Sequence, residues 1–188
     1  KECTYTALSK VAESLNDEGI ETEIINLGGT PVRDCIGCKM CAKNGNARCV
    51  FNDDIVNTII EKAGESDGFI FGTPVYYAHP SGRILSVLDR AFYAGKKAFE
   101  FKPGASIISA RRGGTVASFD VLNKYFTISQ MPIVSSTYWN NVHGNNKEEV
   151  VQDLEGMQTM YNLGKNMAWL LKCIESGKRN NINKPQNS

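Results

Sequence analysis

Cys35, Cys38, Cys41 and Cys49 fall within fifteen positions of a 188-residue chain that has six cysteines in all. Even scatter would place roughly half a cysteine in such a window. Four thiols this close can hold an iron–sulfur cluster, hold zinc, form a disulfide knot or act as a redox switch. Zinc sites commonly use two well-separated Cys-x2-Cys pairs or add histidines. Here the rhythm is Cys-x2-Cys-x2-Cys, and the only two histidines, His79 and His143, are remote in sequence. That rhythm matches the first three ligands of a bacterial-type [4Fe–4S] run, although there the fourth cysteine follows sooner and precedes a proline. Gly37 lets the loop curl, and the arm through Asn44, Gly45 and Asn46 can bring Cys49 back. The cluster is the favoured reading, with bare thiols or an air-formed disulfide next and zinc last. Such a cluster, on a polar loop, is expected to be labile in air. Cys3 and Cys173 stand alone and are expected to be inert.

Three further stretches carry binding chemistry. KECTYTALSKVAESL opens with the hydroxyls of Thr4 and Thr6 in the first turn of a predicted helix, where free backbone N–H groups favour an anion. The competing reading is an ordinary N-cap. GTPVYYAHPSG, with Thr73, Pro74, Val75, Tyr76 and Tyr77, sets main-chain donors and acceptors beside aromatic rings. A flat heteroaromatic ligand needs that combination, although tyrosines packing on a core would leave the same trace. SARRGGT has Ser109, the cations Arg111 and Arg112, and Gly113, Gly114 and Thr115, which suit an anionic ring or a phosphate. His79 reads as a loop histidine, and Asp89 with Arg90 as a structural pair on one helix.

These residues need a scaffold that brings separate loops to one place. The net charge of +1 and the ordinary share of charged residues, 22%, point to neither nucleic acid nor an acidic membrane. No apolar run approaches the roughly 18 residues of a membrane span. Six cysteines in a chain with this much apolar content suggest cytoplasmic metal or redox chemistry rather than a secreted disulfide scaffold. Leu8, Val11, Ala12 and Leu15 predict a helix that stops at Gly19. TEIINL at 22–27 predicts a strand. Asp53 and Asp54 cap a helix that turns Ile55, Val56, Ile59, Ile60 and Ala63 inward. Strands are predicted at 67–72, 105–110 and 132–136, and helices at 84–94 and 116–129. A long helix is predicted from Lys147 to about Ser176, with Val150, Leu154, Met157, Tyr161, Gly164, Ala168 and Leu171 on one stripe. Alternating strands and helices, the strands apolar on both faces, make an α/β fold with a covered parallel sheet. Ligands of such sheets bind at the carboxyl ends of the strands. A single domain is expected over 1–176, with a cysteine-rich insertion at 28–52 and a polar tail at 177–188. A sheet of this kind needs a strand ahead of its first helix, so an apolar strand and a glycine–serine turn are expected upstream of Lys1, about 10 to 15 residues in all.

Together these stretches resemble the flavodoxin-like NAD(P)H-dependent FMN reductases and, among them, the iron–sulfur flavoproteins. ECTYTAL resembles the end of their phosphate loop, with Cys3 where asparagine is usual. DGFIFGTPVYY followed by LDR resembles their second flavin loop and the helix after it, and the four clustered cysteines resemble the compact motif of the iron–sulfur group. The resemblance runs from Cys3 to about Cys173. It implies a doubly wound five-stranded sheet in the order 2-1-3-4-5 with FMN at the strand ends. Thr4 and Thr6 would hold the phosphate, Thr73–Tyr77 would border the isoalloxazine, and Ser109 and Arg111–Thr115 would close the other side. It also implies NAD(P)H or a ferredoxin-type protein as electron donor, a quinone, flavin or aromatic compound as acceptor, and no dedicated catalytic acid or base. Tyr138, Trp139 and Trp169 are more aromatic surface than one small sheet needs, so a homodimer or tetramer is expected. The rival classes are an FMN-binding electron carrier without a substrate of its own and a cysteine-based redox or metal sensor without flavin.

Overall fold

The computed structural model describes residues 2–186. Helix α1 (Glu2–Asp17) buries Ala7, Val11 and Leu15, the apolar positions of its helical repeat. A five-residue helix, α2 (Met40–Asn44), lies inside the cysteine loop, and α3 (Val56–Glu65) follows it. The chain then gives β1 (Phe69–Tyr76), a two-residue strand β2 (His79–Pro80), α4 (Gly82–Gly95), a short 3-10 turn at Lys96–Ala98, β3 (Gly104–Ala110) and α5 (Thr115–Ile128). It closes with β4 (Asn141–His143), α6 (Lys147–Val150) and α7 (Leu154–Arg179).

The sheet order is β2-β1-β3-β4, with β1, β3 and β4 parallel and β2 folded back antiparallel on β1. Period-two alternation sends each strand's side chains to two cores. Phe69, Phe71 and Ile108 join α3, α4 and α5 on one face, around Val56, Leu88, Phe99, Leu122 and Phe126. Ile70, Ala105 and Ile107 join α1 and α7 on the other, around Val11, Met160, Leu163 and Met167. All of β3 is buried, as a central parallel strand requires. This is the doubly wound α/β architecture. The three parallel strands stand in the order expected for the last three of five.

Four details differ from the sequence expectation. Residues 22–27 do not form a strand. A cavity of about 640 Å³, lined both by Ile24, Ile25 and Leu27 and by Phe69–Gly72, occupies the place where their ladder would have to form. A strand exists only where its backbone groups find partners. The strand expected at 132–136 is reduced to one bridge, Ile133 opposite Gly104, and the ladder on that edge resumes at β4. The stretch 73–82 is not an open loop but a hairpin, because β1 runs on to Tyr76. The long last helix is broken between α6 and α7 by Asp153. Its Oδ1 accepts from the Gly156 N–H at 3.0 Å and its Oδ2 from the His143 N–H at 2.7 Å, so it starts α7 while tying it to β4. The break rotates Leu154 off the expected stripe to 77% exposure. Gly164 and Ala168 of that stripe are buried on α7, joined there by Gly156, Thr159, Met160, Leu163 and Met167. At Gly164 a side chain would meet the Val11 carbonyl oxygen at 2.7 Å, which lets α1 and α7 approach closely. The last helix also passes the expected boundary at residue 176, and the final two residues of the expected tail lie outside the described residues.

Candidate functional site

The carboxyl ends of the strands bring three segments together. Pro74 of β1 stands opposite Ser109 of β3, and Ser109 opposite Val142 of β4. The first turn of α1 sits over this row. Thr4 Oγ1 and Ser109 Oγ are 2.6 Å apart, and the Cys3 thiol donates to the Gly144 carbonyl at 3.7 Å. Residues 105 apart in sequence thus form one hydroxyl pair beside a helix N-terminus, where backbone N–H groups lack helical partners. Thr6 does not join them, because its hydroxyl donates to the Glu2 carbonyl of its own helix at 2.9 Å.

The hairpin after β1 turns through Tyr77 and Ala78, with φ of 51° and 58°. Two-residue hairpin turns call for positive φ, normally met by glycine or asparagine. The hydroxyl of buried Thr73 donates to the Pro74 carbonyl at 2.9 Å and accepts from the Ser81 N–H at 3.0 Å. Thr73 therefore closes the hairpin rather than presenting its side chain to a ligand. Pro74 and Val75 are half-buried, and Tyr76 and Tyr77 are 62% and 105% exposed. Gly114, with φ of 91°, packs directly on this turn, since a Cβ there would lie 2.5 Å from Ala78 Cα and 2.9 Å from Val75 Cγ1. Only glycine permits both that φ and that approach. Arg111, Arg112 and Gly113 are exposed beside it, while Thr115 is buried at the start of α5. Thr4, the Thr73–Tyr77 backbone and the 111–114 loop thus share one rim, with Ser109 buried beneath Thr4 and bonded to it, while the side chains of Thr6, Thr73 and Thr115 are engaged elsewhere or buried.

The cysteine loop takes a different course. It does not stay at the strand ends but runs along α4. Asp34 accepts from Ser86 Oγ, Arg90 reaches Cys49, and the Cys41 thiol donates to the Tyr93 carbonyl at 3.8 Å. Ser86, Arg90 and Tyr93 are spaced four and three residues apart, one stripe of the helix. α4 leaves the hairpin and descends toward the start of β3, so Arg90 is about 12 Å along its axis from Gly82. Arg90 is 1% exposed. Its Nε–H donates to Cys49 Sγ at 3.3 Å, Nη1 to the Arg33 carbonyl at 3.2 Å and to Asp54, and Nη2 to the Phe51 carbonyl at 3.2 Å. One guanidinium therefore fastens both ends of the loop. Asn57 grips the Cys49 backbone, accepting from its N–H at 2.8 Å and donating to its carbonyl at 3.0 Å. Burial is the largest single influence on Asp54 and opposes its charge, but the hydrogen bonds from Arg90 and the Val56 N–H and the positive charge of Arg90 together outweigh it and hold the carboxyl below its ordinary value. Burial likewise opposes the charge on Arg90, and its bonds to Asp54 and Cys49 prevail and raise its pKa.

Arg90 thus pairs with Asp54 across the loop and not with Asp89, which instead accepts from the Tyr125 hydroxyl. One sequence signal pointed to this. Arg90 falls on the apolar stripe of α4 with Val87 and Ala91, and a charge on a buried face needs a buried partner. Asn57 and Asp54 carried no comparable signal, being polar residues at an expected helix start. All six cysteines are free thiols. No three of the His, Cys, Asp or Glu side chains among the described residues are gathered into a metal-binding group.

Residues 1–146 match the family model of NADPH-dependent FMN reductases. An iron–sulfur flavoprotein of Methanocaldococcus jannaschii is 34% identical over 176 residues, covering 88% of this chain and 90% of that protein. An iron–sulfur flavoprotein of Methanosarcina thermophila is 26% identical over 171 residues, covering 88% and 86%. Among solved structures, an NAD(P)H:quinone oxidoreductase from Methanothermobacter marburgensis superposes with a TM-score of 0.68 at 14% identity, covering 89% of this chain and 90% of that one. An archaeal flavodoxin superposes at 0.61 with 11% identity, covering 90% of each. At such identities these two structures establish the flavodoxin-like fold alone.

Proposed function

The chain belongs to the NADPH-dependent FMN reductase family, and from that premise we propose that it is an FMN-dependent oxidoreductase. It takes electrons from NAD(P)H or a reduced ferredoxin-type protein and passes them to a quinone, flavin or aromatic acceptor. Cys35, Cys38, Cys41 and Cys49 hold a [4Fe–4S] cluster as a second redox centre. The observation that carries the reading is the convergence of the first turn of α1, the β1–β2 hairpin and the 111–114 loop on one rim, joined by the Thr4–Ser109 contact.

The residues fit FMN. The Thr4–Ser109 pair and the first-turn N–H groups of α1 suit a phosphate. The backbone of Pro74–Tyr77 supplies edge donors and acceptors, and Tyr76 and Tyr77 supply ring faces. Arg111 and Arg112 neutralise anionic charge, and Gly114 keeps the two loops in register. FMN, when bound, supplies hydride and single-electron chemistry. The chain's own part is to bind and orient it, and no side chain acts as acid or base. The thiols fit a cluster in kind and number, as four free sulfur donors on one loop with both ends clamped. Relatives named iron–sulfur flavoproteins, matched over 90% and 86% of their own length, support that assignment. A cytoplasmic setting suits free thiols, and no helix among the described residues is long and apolar enough to cross a membrane.

The test is FMN binding by T4A and T6A. A hydrogen bond to a charged group contributes about 1.5–3 kcal/mol, so T4A is expected to weaken FMN by about 10- to 150-fold. T6A, whose hydroxyl is committed to Glu2, should change it less than about threefold. Unchanged affinity in T4A would overturn the phosphate assignment. Iron and acid-labile sulfide in protein purified without oxygen test the cluster, with about four of each per chain expected.

A further inference from the structure

We infer that Arg90 is a positioning residue for the cluster, which fixes Cys49 as the anchored ligand and raises the cluster's reduction potential by donating its Nε–H to the Cys49 sulfur. The inference rests on the cluster reading above and adds to it a named determinant of the potential. The four thiols are not equivalent. Cys49 is held at three atoms, its N–H and carbonyl by Asn57 and its Sγ by Arg90 at 3.3 Å. Cys41 makes only a long thiol contact at 3.8 Å, and no side-chain hydrogen bond holds the Cys35 or Cys38 sulfur among the described residues. The ion pair with Asp54 and the two carbonyl bonds account for Nη1 and Nη2, and they close the loop. They leave Nε free to point elsewhere, and it points at sulfur. An Arg presents five donors in a fixed fork. Holding Asp54 and the two carbonyls with the Nη groups therefore also aims Nε.

The direction of the effect follows from charge. A hydrogen bond to a ligand sulfur draws density from it and weakens its donation to iron, so the more negative, reduced state is favoured. A guanidinium buried beside it acts in the same sense. The step concerned would be uptake of one electron by a bound cluster from the chemical reductant of the assay. No bond forms or breaks and no proton is transferred.

The experiment compares the full-length wild type with R90K, both loaded with FMN and cluster without oxygen, by iron and sulfide content and by a redox titration followed by EPR. Lysine keeps a charge for Asp54 but lacks the fork. R90K is expected to hold the wild-type amount of iron at a potential lowered by about 59 mV, a tenfold shift in the one-electron equilibrium. The second measurement needs no substitution. Wild type grown with 15N-arginine should show a nitrogen hyperfine coupling to the reduced cluster in pulsed EPR, and it decides the matter if R90K fails to fold. An iron-replete R90K with unchanged potential, or labelled wild type without that coupling, overturns this inference and leaves the cluster standing. Wild type that binds no iron refutes the cluster itself, and the role of Arg90 with it.

Discussion

Replacing Asp54 by alanine asks how firmly the cysteine loop is clamped. The side chains of Asp54 and Arg90 are 2% and 1% exposed, so water cannot take the place of either partner. Removing one member of a buried pair costs about 3–5 kcal/mol, chiefly because the other charge is left uncompensated. The same carboxylate accepts from the Val56 N–H at 3.1 Å in the first turn of α3. That bond is worth about 1 kcal/mol, but it is lost with the same group and does not simply add. A loss of about 3–5 kcal/mol is a large part of a typical stability of about 5–15 kcal/mol. At about 2–4 °C per kcal/mol for a chain of this size, Tm should fall by about 6–20 °C. The assay is urea and thermal unfolding of D54A, with the accessibility of the Cys49 thiol to a soluble reagent as a local readout. Thiol labelling at Cys49 should quicken as the loop loosens. The double variant R90M/D54L, which buries apolar groups in place of the pair, should recover at least half of the lost stability. A loss below about 1 kcal/mol in D54A, or a double variant no better than the single one, would show that the pair borders the loop without holding it.

Three further outcomes are expected. G114A places a methyl 2.5 Å from Ala78 Cα at a φ of 91°, so hairpin and loop must part; at about 1–2 kcal/mol for the left-handed conformation alone, FMN should bind about tenfold more weakly, and unchanged affinity in a fluorescence titration would count against the shared rim. Burial and the bond to Asp89 raise the Tyr125 pKa above its ordinary 10.0, so the folded chain keeps a proton that the unfolded chain loses, and stability should fall as pH rises past about 10; Y125F should flatten that fall in unfolding curves taken at about pH 9 and 11. Tyr138, Trp139 and Trp169 remain 54%, 50% and 68% exposed, and light scattering should give at least a dimeric mass at micromolar concentration, a monomer being the refuting result.

The fold was legible because its signals were redundant. Apolar strands, capped helices and glycine-bearing loops alternated with one rhythm, and each strand expectation between 67 and 110 fell within a few residues of a real one. TEIINL misled because β-branched and apolar residues mark a strand only if a partner edge is within reach, and sequence does not carry that information. The last helix misled because Asp153 reads as an ordinary exposed helix residue until its two oxygens are seen to cap Gly156 and bind His143. At the site, loop positions were legible and side-chain roles were not. Thr6 and Thr73 have the chemistry of ligand contacts, yet both hydroxyls are spent on the protein's own backbone. Arg90 shows the converse: its pattern marked it as buried, but its true partner is 36 residues away and is set by how the loop folds over α4.

The close packing of α1 on α7 sets an order of assembly during synthesis. The core under the cysteine loop, from Val56 to Met131, draws on residues that all precede β4, α6 and α7 in the chain. The opposite core joins Ala7, Val11 and Leu15 to Met160, Leu163, Met167 and Ala168, so it must wait for the closing helix to leave the ribosome. Contacts separated by some 150 residues also carry the greatest entropic cost of loop closure. The side that carries the thiols can therefore settle early, while the first turn of α1, with Thr4, is locked against Ser109 only at the end.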